Sequence, residues 1–175
     1  MRIALVVDGT RGDVQPMQLL GRALAEDGHE VRLCAPPDFR ESSEAAGLSF
    51  HPVGVEVQAW LSAHAAALAD RPWRMLREAV RYSRACLDAQ FAALPDATAG
   101  AHRIVGAGVQ VAGPSVAALH GVPYRYLAYC PVLIPSAEHP SMTVSRQTLP
   151  RAVNRLSWSL TRAFFNAAFR RTLAA

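Results

Sequence analysis

Between Val6 and Pro16 the chain reads VVDGTRGDVQP, which puts Asp8 and Asp13 on either side of a short glycine-bearing turn. A carboxylate at such a place can attack phosphorus, take a proton from a hydroxyl, or cap a helix. Glycines let backbone N–H groups come close to an anion. A phosphate-attacking aspartate would need the pattern D-x-D-G-T, and Val6 stands where that nucleophile belongs. A phosphate-binding G-K-[ST] loop needs a lysine to reach the terminal phosphates. The chain contains no lysine. The spacing of Gly9-Thr10-Arg11-Gly12 does not fit the G-x-G-x-x-G dinucleotide turn. What remains is a close-approach turn leading into a helix N-terminus that favours an anionic group. Asp13 is then a helix N-cap or a base aimed at a substrate. An N-cap side chain points into the space a substrate would fill, so the two readings are compatible.

Elements on both sides must hold this turn. Arg2–Val7 is a continuous apolar run, the pattern of a strand covered on both faces. Pro16 can open the next helix at its first turn, with Leu19, Leu20, Ala23 and Leu24 at helical spacing and Gly28 as its stop. Val31–Ala35 is a second strand. Asp38 can cap a short helix through Ala46, Gly47 ends it, and Leu48–His51 is a third strand. Val57–Leu94 is helical in pattern, broken at Asp70-Arg71-Pro72. Ile104–Gly108, Pro114–His120 and Tyr124–Tyr129 continue as strand, helix and strand, with Gly121 as the helix stop. Cys130–Pro150 reads as a long loop, and Arg151–Leu173 as a final helix. Alternation of this kind predicts an α/β fold, a parallel sheet with helices on both faces. In such a sheet, ligands gather beyond the C-terminal ends of the strands. The DGTRGD stretch, the loop after Ala35, the segment after Pro52, Gly106–Gly113 and the Cys130 loop should open there.

Composition narrows the class. Hydrophobic residues make up 51% and charged residues 18% of 175, which is globular and excludes a disordered tail. All 18 cations are arginine. Six of them follow the last acid, Glu138, so the final 30 residues carry +6 while the first 145 carry −2. The basicity belongs to the last helix, and nothing in the body suggests a nucleic-acid partner. Cys34, Cys86 and Cys130 are odd in number and far apart, a pattern that predicts a reducing, cytoplasmic setting without disulfides or zinc. The six histidines show no metal-pairing spacing, and no metal is expected.

The set GTRGDVQP, LGRALAEDGHEVRLCAPPDF, AAGLSFHPVG and GVPYRYLAYCPVLIPS, in this order, resembles the N-terminal half of GT-B glycosyltransferases. The similarity is to the branch acting on glycopeptide antibiotics, macrolides and sterols, and it runs from Met1 to about Ser136. It implies a Rossmann-like acceptor-binding domain with Asp13 as the general base on an acceptor hydroxyl. Thr10, Arg11 and Gly12 would line the cleft near the phosphates of a nucleotide-sugar donor. Plant relatives use a histidine near the first strand; His29, His51 and His64 all lie outside this loop. Trp60, Trp73, Tyr129, Leu133 and Met142 fall in segments that build the acceptor pocket in the family. Trp60 and Trp73 fit helix or core packing equally well.

The resemblance further implies an inverting transfer of a hexosyl-type sugar to a lipophilic natural-product aglycone. It requires no cofactor beyond the nucleotide sugar. Family members are roughly twice as long. Residues 1–175 are therefore expected to be a single acceptor-binding domain, truncated before the C-terminal half that holds most of the donor, and inactive alone. The alternatives are a non-catalytic aglycone- or partner-binding protein of the same fold, and half of a sterol or lipid glycosyltransferase. In the last helix Leu156, Leu160 and Phe164 form one row and Phe165, Phe169 and Leu173 another. Arginines punctuate the same stretch; the rows fit packing on the sheet or on the missing half, and they also fit weak contact with a membrane surface.

Overall fold

The computed structural model describes residues 1–57, 59–60, 62, 72–129, 133–146 and 148–173. They form two compact units, Met1–Leu127 and Ala128–Ala175. The first holds β1 (Arg2–Asp8), α1 (Arg11–Glu26), β2 (Glu30–Ala35), α2 (Arg40–Ala45), β3 (Ser49–Pro52), α3 (Pro72–Ala97), β4 (Arg103–Gly108), α4 (Gly113–His120) and β5 (Tyr124–Leu127). The five strands make one sheet in the order β3-β2-β1-β4-β5, every pair parallel. This is the α/β sheet read from the sequence, with β1 at its centre between β2 and β4.

The apolar run of β1 is buried from Ile3 onward, as expected of a strand covered on both faces. Successive side chains alternate between the faces. Ala4 and Val6 pack with Ile104, with Leu94 and Ala97 of α3, and with Val116 and Ala117 of α4. On the other face α1 approaches closely at Gly21. A β-carbon there would lie 3.1 Å from Leu48 and 3.2 Å from Leu5. Full burial of a side chain such as Leu5 or Leu33 contributes about 1.5–3 kcal/mol. Asp8 shares the alternation of Ala4 and Val6, which directs it toward α3 at the C-terminal rim.

Gly28, Gly47 and Gly121 end their helices at φ of +80°, +77° and +65°, the left-handed geometry expected of helix stops. Other boundaries differ from the sequence reading. α1 starts at Arg11, and Pro16 lies inside it, because Thr10 and Asp13 begin the helix before the proline is reached. Asp38 does not cap α2. Its carboxylate instead accepts the Val57 N–H at 2.6 Å and ties the turn after β2 to the segment after β3. α3 runs through Pro95 to Ala97, beyond Leu94. β5 ends at Leu127, so Tyr129 lies past the strand. Asp70 and Arg71 fall outside the described residues.

In the second unit, α5 (Arg151–Leu173) holds the preceding loop with one polar stripe. Asn154 Nδ2 donates to the carbonyls of Ala137 and Leu149 at 2.9 and 3.3 Å. Ser157 Oγ accepts the Ser141 N–H at 2.9 Å, and Thr161 Oγ1 donates to Ser141 Oγ at 2.8 Å. Trp158 Nε1 donates to the His139 carbonyl at 3.1 Å. The row Val153, Leu156, Leu160 and Phe164 is exposed. No helix among the described residues is long and apolar enough to cross a membrane.

Candidate active site

The two aspartates occupy different environments. Asp13 is the third residue of α1, and its Oδ2 accepts the Thr10 backbone N–H at 2.8 Å, with the Thr10 hydroxyl at 3.3 Å. Thr10 is the N-cap and Asp13 reaches back to it, satisfying a donor that the helix itself cannot. The N-cap assignment of Asp13 is thereby corrected: it caps from inside the first turn. Asp13 is half-buried, while Thr10, Arg11 and Gly12 are exposed. The first four amides at a helix start lack the regular intrahelical acceptor. Here the Thr10 N–H goes to Asp13 Oδ2 and the Asp13 N–H to the Thr10 carbonyl at 2.9 Å, and the other two belong to Arg11 and Gly12. The Arg11 guanidinium lies along α1, donating to the Gln15 amide oxygen at 3.0 and 3.1 Å.

Two glycines make room for Asp13. Gly9 has φ +141°, and a β-carbon on it would run into the Asp13 carboxylate. Gly108, at the end of β4, has φ +66°; a β-carbon there would strike the Asp8 carbonyl oxygen and lie 3.2 Å from Asp13 Cβ. The Asp8 carbonyl accepts the Val109 N–H at 2.8 Å, and the Gly108 carbonyl accepts the Tyr126 hydroxyl at 2.8 Å.

Asp8 is only 3% exposed. Burial pushes its carboxyl above the usual carboxylate range; hydrogen bonds from the Gln90 side chain and the Gly9 N–H oppose the shift, and the nearby Asp13 charge adds to it. Gln90 Nε2 donates to Asp8 Oδ2 at 2.6 Å, and its Oε1 accepts the N–H groups of Val111 and Ala112 at 2.9 and 3.2 Å. Tyr82, Cys86 and Gln90 follow one another at i, i+4 spacing on α3, a single stripe. The Tyr82 hydroxyl is bonded to the Cys86 thiol. Burial raises both groups, the thiol to about 12 with the Asp8 charge adding.

The stripe leads to a cleft of about 210 Å³ that includes Val55, Glu56, Trp60, Glu78 and Tyr82. Trp60 stacks on Tyr82 with ring centroids 4.3 Å apart. Trp60 is thus placed in the same unit as Asp13. Trp73 lies in α3, and its side chain is outside the described residues. Tyr129, Leu133 and Met142 belong to the second unit. There Met142 is exposed and lines a groove of about 670 Å³ with Trp158, Arg155, Arg162 and Phe165. The sequence reading missed Gln90 and Tyr82. Their spacing from Cys86 was visible, but nothing in the sequence marked which face of α3 meets β1.

The turn between β4 and α4 is closed by amides. Gln110 Oε1 faces the N–H groups of Gly113 and Ala112, the latter at 3.1 Å, and its Nε2 donates to the Tyr124 hydroxyl at 3.1 Å. Among the described residues, no three His, Cys, Asp or Glu side chains converge as a metal-holding cluster.

Residues 3–121, which carry β1 to β4 and both turns, match the glycosyltransferase family 28 N-terminal domain. The chain belongs to that family. Among curated relatives, the glycosyltransferase GtfC of Amycolatopsis orientalis is 33% identical over 161 residues, covering 90% of this chain and 38% of that protein. The vancomycin aglycone glucosyltransferase of the same organism is 33% identical over 143 residues, covering 80% and 33%. The family member described here therefore spans well under half the length of these relatives. Its fold is that of the Streptomyces sp. SF2575 glycosyltransferase SsfS6, solved with thymidine diphosphate. The TM-score is 0.53 at 21% identity, over 80% of this chain and 40% of that one. The GT-B, Rossmann-like class expected from the sequence is the observed one.

Proposed function

We propose that this chain is the acceptor-binding half of an inverting glycosyltransferase, with Asp13 as its general base. The donor is a nucleoside diphosphate sugar of hexosyl type, and the acceptor is a hydroxyl on a lipophilic natural-product aglycone. The observation that carries this reading is the half-buried carboxylate of Asp13, held at the C-terminal edge of the sheet between two glycines that leave it room. The hydroxyl oxygen bonds to the anomeric carbon as the bond from that carbon to the phosphate oxygen breaks. The electron pair leaves with the nucleoside diphosphate, and the hydroxyl proton passes to Asp13. The Arg11 and Gly12 amides, with Thr10 beside them, face the leaving diphosphate, and the scheme needs no metal. Trp60 on Tyr82 supplies an apolar platform of the kind aglycone sites use. Tyr129, Leu133 and Met142 are retained as acceptor contacts on the resemblance alone.

The reading rests on family membership and on relatives whose names include an aglycone glucosyltransferase. A non-catalytic binding protein of the same fold and half of a sterol or lipid glycosyltransferase are its competitors. The gene separates the first: a reading frame that continues past Ala175 into a nucleotide-sugar domain supports the enzyme, and a stop codon there supports the binding protein. Titrating this 175-residue chain with uridine and thymidine diphosphates adds a second test. We expect no micromolar binding and no sugar transfer, because most donor contacts would come from the other half, while a lipophilic aglycone still binds. Transfer by this chain alone would contradict the division of labour.

A further inference from the structure

We propose that Gln90 is a positioning residue that holds both walls around Asp13 through one buried amide. The inference rests on the reading of Asp13 as the base, but its geometry stands separately. Gln90 is 1% exposed and lies on α3, away from the turn it serves. Through Nε2 it fixes Asp8, whose carboxyl also takes the Gly9 N–H. Gly9 precedes Thr10, and the Thr10 N–H is the donor that orients Asp13 Oδ2. Through Oε1 the same amide fixes Val111 and Ala112, in the segment that begins at Gly108. Gly108 is the residue whose missing side chain leaves space beside Asp13 Cβ.

An amide suits this place because it donates on one side and accepts on the other, and both capacities are used. A carboxylate could accept from Val111 and Ala112 but could not donate to Asp8. An aliphatic side chain could do neither. Asp8 accepts from both the Gln90 amide and the Gly9 N–H, and an asparagine there keeps one oxygen, which suffices for the Gln90 link.

Three variants test this. Gln90→Leu leaves several buried groups unpaired and can fail to fold. Gln90→Glu keeps the acceptor side and removes the donor that reaches Asp8 and, at 3.4 Å, the Val109 carbonyl, and Asp8→Asn keeps an acceptor for Gln90. Amide hydrogen exchange at Thr10 reads the bond to Asp13 directly. We expect exchange to speed up about tenfold in Gln90→Glu through local opening, while Leu5 and Val6 keep wild-type protection. In Asp8→Asn, which keeps the Gln90 link, Thr10 exchange should speed up less than in Gln90→Glu. In the full-length enzyme, Gln90→Glu should lower kcat by about 10–100-fold with acceptor KM nearly unchanged, since a misplacement of 1 Å suffices for such a loss. A folded Gln90→Glu protein with wild-type Thr10 exchange and wild-type kcat overturns the proposal. Faster Thr10 exchange in Gln90→Glu, together with full turnover in Asp13→Asn, would keep Gln90 as holder of the turn and remove Asp13 as the base.

Discussion

The neighbouring strands β1 and β4 each deliver the chain into a helix through a glycine-rich turn, and the two turns end differently. After β1, the first turn of α1 is capped by a half-buried carboxylate, Asp13, on an exposed segment. After β4, the N–H groups leading into α4 are taken by the neutral amides of Gln90 and Gln110. Both arrangements satisfy the donors that a helix start leaves unpaired. Only the first leaves a proton acceptor at the rim of the sheet. Glycine content is similar in the two turns, so the difference comes from the group that does the capping.

Gly108→Ala should break the comparison most severely. Its φ of +66° disfavours any side chain, and the β-carbon would meet the backbone oxygen of Asp8, which cannot swing aside. We expect a loss of about 1–3 kcal/mol, read by chemical denaturation. Gly113→Ala in the other turn should cost less. There the β-carbon meets the Gln110 amide and the Tyr124 ring, side chains rather than backbone. Equal losses would mean that room beside Asp13 is nothing special.

A smaller effect is expected from Asp8→Asn on the pH dependence of stability. Burial raises the Asp8 carboxyl above its ordinary 3.8, so its contribution to stability is complete below that value. It is lost as pH rises through the raised folded value, where the buried group must ionise. Unfolding of wild type and variant, followed from about pH 3 to pH 7, should show wild type losing ground to the variant as pH rises. Parallel curves would mean that Asp8 titrates as in the unfolded chain.

Much of this was legible in the sequence. Alternation of apolar runs with glycine stops at Gly28, Gly47 and Gly121 gave the strands and helices of the first unit. Asp13 was visible from its motif. The start of α1 was not, because Pro16 is the more conspicuous signal and the reach-back from Asp13 to Thr10 depends on backbone geometry. Gln90 was invisible for a different reason. An isolated glutamine in a long helix carries no periodic signal, and its role exists only once α3 lies against the ends of β1 and β4. In α5 the sequence did not mark the face that holds the loop: Asn154, Ser157 and Thr161 do so, while Leu156, Leu160 and Phe164 stay exposed.

The exposed row on α5 sets the smallest prediction. In co-sedimentation with anionic liposomes at low and high salt, we expect little of the chain to pellet under either condition. Salt-sensitive pelleting would make α5 an interfacial helix.

The central claim is that, of the two aspartates flanking the turn, Asp13 takes the proton and Asp8 does not. Turnover of Asp13→Asn and Asp8→Asn in the full-length enzyme compares them directly. Asp13→Asn keeps an oxygen for the Thr10 N–H and Asp8→Asn keeps one for the Gln90 amide, so both variants should fold. The account predicts that Asp13→Asn loses about 10²–10⁴-fold in turnover, while Asp8→Asn stays within about tenfold of wild type. Near-normal turnover in Asp13→Asn, or a larger loss in Asp8→Asn, would contradict it.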